Sequence, residues 1–133
     1  MFVTPEITVT SQDLQRLQSL IRRFATSAGE RLDDELARAH VVTPREVASD
    51  VVTMNSEVTF EDVATGFQRT VRLVYPEHTD ILKGYISVLS PLGLALLGLR
   101  VGQEFEWIMQ QGRRRVRIVD VPYQPEANGD FAS

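Results

Sequence analysis

Cysteine is absent from the 133 residues, histidine occurs twice and tryptophan once. Without cysteine there is no disulfide and no thiol chemistry. His40 and His78 lie far apart in sequence, and neither has a ligand partner at a usable metal spacing. No apolar run approaches the roughly 18 residues of a membrane span. A glycine-rich phosphate loop is also lacking, because Gly93 and Gly98 flank an apolar segment and suit packing and capping instead. Ser87 and Ser90 have no neighbouring base, so neither reads as a nucleophile. The formal net charge is −4, which argues against independent nucleic-acid binding through counterion release. The opening Met1–Glu6 carries neither a basic nor a long apolar region, so a signal peptide is not expected and the cytoplasm is. No catalytic constellation emerges, and no cofactor, metal or membrane is called for.

What remains is an ordinary globular balance, 43% hydrophobic and 24% charged. It is organised around 85–98. Tyr85 to Leu89 is rich in aromatic and β-branched residues and reads as a strand. Ser90 suits an N-cap, Pro91 the first helical position, and Gly98 the C-terminal cap of a short apolar helix over Leu92–Leu97. A helix apolar nearly all round must be enclosed, leaving the corner Leu89-Ser90-Pro91 as its natural contact point.

Before this core stands a helical pair. Thr10 and Asp13 resemble a capping box, and Leu14, Leu17, Ile21 and Phe24 form a seam that Leu20 widens. Thr26–Gly29 reads as a loop, and Leu32, Leu36 and Ala39 mark a second helix over about 30–40. The pair makes a short antiparallel hairpin over residues 1–42. Arms of roughly 11–16 residues reach only about 16–24 Å. A further helix start is expected at Thr43-Pro44-Arg45-Glu46. Strands follow over 57–63 and 68–75, and a hairpin of strands over 103–121 turns at Gln111-Gly112. The expected architecture is α+β: a helical hairpin, then an antiparallel sheet with one short packed helix over 43–125, then a loose tail over 126–133.

Three clusters remain. Glu30, Asp33, Asp34 and Glu35 either favour a helix N-terminus or form an acidic tip that holds a metal or touches a partner. Arg113, Arg114, Arg115 and Arg117 either coat a solvated strand face, discouraging edge pairing, or meet phosphates. Trp107 alternates with Phe105 and Met109, which favours a core position over a ligand platform.

The stretch Ile86-Ser87-Val88-Leu89-Ser90-Pro91-Leu92-Gly93 through Leu97-Gly98 resembles the C-terminal domain of the bacterial transcript cleavage factors GreA and GreB, as do Gly112 and Val119–Tyr123. Asp50–Ser56, Leu73–Pro76, Ala95–Gly102 and Tyr123–Ala127 resemble more closely the Rnk family, the regulators of nucleoside diphosphate kinase within that superfamily. The resemblance implies an FKBP-like domain, a short coiled coil, and RNA polymerase as partner. It implies docking at the rim of the secondary channel through Leu89, Ser90 and Pro91. Leu89 departs from the polar or acidic residue of the cleavage factors.

Those factors carry Gly-Asp-x-x-Glu-Asn at the coiled-coil tip, where two acids help to hold a metal. Here the string is Gly29-Glu30-Arg31-Leu32-Asp33-Asp34, so Glu30, Asp33 and Asp34 are the tip candidates. The arms are about half as long, and each missing residue removes about 1.5 Å. Metal ligation at about 2.1 Å does not tolerate such a gap. The expectation is a polymerase-binding regulator, not an enzyme, that competes with GreA/GreB-type factors. The alternatives are a cleavage factor, a prolyl isomerase, or a direct protein regulator of nucleoside diphosphate kinase.

Overall fold

The computed structural model describes residues 6–24, 26–109 and 112–132. The Met109 side chain and Gln111 of the expected turn lie outside the described residues. The chain opens with β1 (Thr8–Thr10), α1 (Ser11–Arg23), α2 (Ser27–Ala37) and β2 (His40–Val42), and β1 and β2 pair in parallel at the base of the helical hairpin. A second sheet follows, built from β3 (Glu57–Asp62), β4 (Gln68–Val74), β5 (Tyr85–Ser87), β6 (Glu104–Met109) and β7 (Gly112–Tyr123) in the order β5-β4-β3-β7-β6. The short α3 (Pro91–Leu96) leads out of β5. The class is α+β, as the sequence indicates. The sheet is mixed, however: β5 runs parallel to β4, pairing Arg72 with Tyr85 and Val74 with Ser87. The connection over 75–84 makes this possible, because two 3-10 turns carry the chain back beside Arg72 of β4 before β5 begins.

One apolar core joins hairpin and sheet. Leu17 and Leu20 of α1 and Leu32 and Leu36 of α2 are buried with Val58, Val71, Leu73, Leu96 and Ile118. Phe24 leaves the expected seam: it ends α1 as C-cap and is 37% exposed. The second helix also begins earlier than expected. Thr26 accepts a hydrogen bond from the Gly29 N–H and so starts α2 at Ser27. Only Glu30 of the acidic cluster then sits in the first turn. At Thr43–Glu46 no helix forms; the Thr43 hydroxyl donates to Glu46 at 2.7 Å within a turn.

The hairpin is fastened to the body by polar contacts. Thr10 caps α1 by accepting from the Asp13 N–H, as its spacing predicts. The Asp13 side chain, 3% exposed, accepts from the Met54 N–H at 3.1 Å. The tail, expected to be loose, is tied down. Glu126 accepts from the Thr53 hydroxyl at 2.7 Å, and the Phe131 carbonyl accepts from Gln12 at 2.7 Å. Gln124 donates to the carbonyls of Ala48 and Val51, holding β7's exit against the segment that precedes β3. Gly98 lets β1 approach: at φ +79 it accepts the Thr8 N–H, and a Cβ there would lie 2.7 Å from the Ile7 side chain.

Burial pushes the Asp13 carboxyl up from 3.8 to about 6, and the nearby Glu126 charge adds to this, against the Met54 hydrogen bond. The folded state therefore holds a proton that the unfolded chain has released between about pH 4 and 6. Stability from this group is full below pH 4 and falls as pH rises to 6, by about 3 kcal/mol in all. Asn keeps an acceptor for Met54 but does not titrate. Denaturant melts of Asp13→Asn are expected to lack this pH 4–6 decline relative to the parent; parallel profiles would show that Asp13 ionises freely. Leu96→Ala, at a fully buried site, is expected to cost about 2–5 kcal/mol in the same melts.

Candidate partner-binding site

Two serines build the corner between β5 and α3. The Ser87 carbonyl accepts from both the Ser90 N–H at 3.0 Å and the Ser90 hydroxyl at 2.7 Å. The Ser90 Oγ in turn accepts from the Gly93 N–H at 3.1 Å, satisfying an orphan donor of the first helical turn. The Ser87 Oγ accepts from the Leu89 N–H at 3.0 Å. Pro91 then begins the helix with its φ already fixed. Gly93 is required by contact: a Cβ there would lie 2.0 Å from the Ser87 carbonyl oxygen. The result is a rigid corner with Pro91 exposed, Ser90 half-buried and Leu89 leaning partly on the core. Ser87 is the residue that sequence reasoning passed over. The signal for it is a serine three residues before an N-cap serine.

The acids do not gather at the hairpin's end. Glu30 lies in the first turn of α2, whereas Asp33 and Asp34 lie one turn or more further along the helix. Asp33 is seven residues beyond the Thr26 cap, roughly 10 Å along the axis. All three are exposed. Among the described residues no cluster of three or more His, Asp or Glu side chains is arranged to hold a metal. The hairpin arms have 13 and 11 residues, so they extend roughly 20 and 17 Å.

The arginine run is committed to carboxylates. Arg117 donates to Glu104 at 2.8 Å and to Glu61 at 3.3 Å, Arg115 to Glu104 at 3.1 Å, and Arg114 to Asp62 at 3.2 Å. Hydrogen bonds from Arg117 and Arg115 hold the Glu104 carboxyl below its usual range. Arg113 stands 3.9 Å from Glu106. This is an ion-pair ladder across β3, β7 and β6, not a free row of cations for phosphates. Trp107 packs on the core from a half-buried position and also lines a cavity. His40 is in β2, and His78 ends the first 3-10 turn of the 75–84 connection. Among the described residues, no helix is long and apolar enough to cross a membrane.

Comparison with known proteins matches this geometry. Residues 47–123 fit the family model of the transcription elongation factor GreA/GreB C-terminus, and residues 5–42 fit that of the Rnk N-terminus. The chain is 37% identical over 131 residues to the regulator of nucleoside diphosphate kinase of Escherichia coli, covering 96% of each. It is 34% identical over 94 residues to the transcription elongation factor GreA of Syntrophotalea carbinolica, covering 71% of this chain and 60% of that one. A solved structure of a prokaryotic transcription elongation factor GreA/GreB from Nitrosomonas europaea superposes with a TM-score of 0.78 at 43% identity, covering 90% of this chain and 99% of that one.

Within the matched segment, the Ser87–Gly93 contact is the corner's weak point. Gly93→Ala places a methyl group against backbone that has no room to yield. It is expected to destabilise by about 1–3 kcal/mol, as overpacking does, despite alanine's better helix propensity. Chemical denaturation measures this, and a neutral or stabilising result would show that α3 is free to lift off β5.

Proposed function

The chain belongs to the family of regulators of nucleoside diphosphate kinase, which carries a GreA/GreB C-terminal domain, and from that premise we propose that it regulates transcription by binding RNA polymerase at the rim of the secondary channel. The corner Leu89-Ser90-Pro91 is the docking point in this reading, with the body over 43–125 as anchor and the hairpin over 1–42 directed into the channel. The observation that carries it is the corner itself. It is fixed by four hydrogen bonds through Ser87 and Ser90 and presents an exposed proline. A rigid protrusion loses little conformational freedom on binding, which is what a small contact needs.

The same reading has no cleavage activity. An arm of roughly 20 Å is about half the length the resemblance ascribes to cleavage factors, and Asp33 and Asp34 sit back from its end. Glu30 at the tip serves the helix N-terminus, an effect of about 0.3–1 kcal/mol. The protein then acts by occupying the rim, in the cytoplasm where polymerase works, and excludes cleavage factors from it. A second reading rests on the printed name of the Escherichia coli relative, direct contact with nucleoside diphosphate kinase. Co-purification of the kinase without polymerase subunits would favour it.

Replacing Ser90 and Pro91 together by alanine is expected to weaken polymerase binding about tenfold, equivalent to about 1.4 kcal/mol, with circular dichroism unchanged. Undiminished affinity in the folded variant would sink the docking assignment. Added to a backtracked polymerase complex, the protein is expected to give no cleavage above background and to inhibit a true cleavage factor. Excess cleavage factor should relieve that inhibition by mass action. Direct stimulation of cleavage that disappears in the Glu30→Ala, Asp33→Ala double variant would instead restore a catalytic tip.

A further inference from the structure

The corner occupies only one end of the sheet. At the other end, where β3 turns into β4, Phe60, Trp107 and Val116 floor an open cavity of about 310 Å3. These side chains lie on the core face of the sheet, since Phe60 and Val116 are themselves buried with Val58 and Ile118. The rim carries Phe67, Arg69 and Arg114. Arg69 is the second residue of β4, and Val74, at its other end, pairs with Ser87 beneath the corner. Five residue steps along the strand separate the two positions by roughly 16 Å.

The rim is built, not loose. The Asp62 carboxylate accepts from the Ala64 N–H at 2.9 Å through one oxygen and pairs with Arg114 at 3.2 Å through the other. The Asp62 N–H donates to the Phe67 carbonyl at 2.9 Å, and the Phe67 N–H donates to Thr65. This turn holds Phe67 71% exposed, an apolar surface turned to solvent. Arg114 is neutralised by Asp62. The Arg69 side chain has no ion pair or hydrogen bond among the described residues, which leaves one uncompensated positive charge beside three aromatic rings.

We propose that this cavity is a second docking site, for a segment of a partner protein that presents an aromatic or leucine side chain next to a carboxylate. About 300 Å3 is the lower limit for pockets that enclose a whole small ligand, and it accommodates a single anchoring side chain. Such an anchor stacks on Trp107 and Phe60, while the partner's backbone crosses the Phe67 ring. Apolar anchors in aromatic pockets are the usual centre of protein interfaces. The free Arg69 guanidinium selects a carboxylate beside the anchor by charge-assisted hydrogen bonding. Because the site stands apart from the Ser90–Pro91 corner, it can be occupied whether or not the polymerase reading holds.

Trp107 is the sole tryptophan, so its indole N–H gives a single, unambiguous proton–nitrogen correlation signal in the full chain. Titration with the probe N-acetyl-Phe-Asp-amide is expected to move that signal saturably in the millimolar range. The probe N-acetyl-Phe-Asn-amide is expected to bind at least about threefold more weakly, as is the acidic probe to Arg69→Gln, an exposed substitution. Phe67→Ala, also exposed, should weaken both probes alike. An indole signal that stays fixed up to about 10 mM of peptide would overturn the proposal. So would equal affinity for the Asp and Asn probes, or an equal response to N-acetyl-Ala-Asp-amide, which carries charge without an anchor. A signal that moves with protein concentration alone would assign the cavity to a second copy of this chain and overturn the partner assignment.

Discussion

A carboxylate drawn almost out of water joins the two parts of this molecule. Asp13 stands in the first turn of α1, accepts the Met54 N–H from the segment before β3, and faces Glu126 from the tail. Burial of a charged group is expensive unless it is paired and hydrogen-bonded. Asp13 escapes part of that cost by retaining its proton up to about pH 6. Its reward is direction: an apolar seam alone lets a helix slide or rotate, whereas one hydrogen bond to a fixed backbone donor sets where α1 leaves the body. The register of Leu17 and Leu20 against the shared core follows from that, and so does the line along which the hairpin points.

The corner obeys a different constraint, close approach of backbone. Gly93 has no side chain, so α3 settles directly on the Ser87 carbonyl, which also receives both donors of Ser90. Parallel placement of β5 beside β4 brings that carbonyl to the rim of the sheet. Hairpin and corner are thus positioned by polar contacts at their bases, while the apolar core supplies the bulk stability.

Local chemistry was readable from the sequence. The Ser90 cap, Pro91 at the first helical position, the alternation of Val58 and Phe60, and the Thr10 cap each depend on near neighbours, and all are present. What escaped depends on distant partners. Nothing around Asp13 announces that its carboxylate meets Met54, and a polar tail reads as loose until Gln12 and Thr53 are found at hydrogen-bonding distance. Parallel pairing of β5 is invisible because strand composition carries no direction. The start of α2 was misread because Gly29 looks like a breaker, whereas Thr26 caps the helix and Gly29 packs tightly against the Phe24 carbonyl. The corner was found by chemistry together with family resemblance. The aromatic cavity was missed because Trp107 alternates like a core residue and is only partly one.

The clasp between Gln12 and the Phe131 carbonyl spans 119 positions, and that between Thr53 and Glu126 spans 73. Contacts of such sequence separation are made late, because the entropy of closing a long loop precedes any gain from the contact. During synthesis the helical pair emerges ahead of the strands and waits, with its leucine seam uncovered, for them and for the tail that leaves the ribosome later still. Its two helices are too short to persist alone. The order in which the chain is made is therefore the reverse of the order in which its first segment becomes secure.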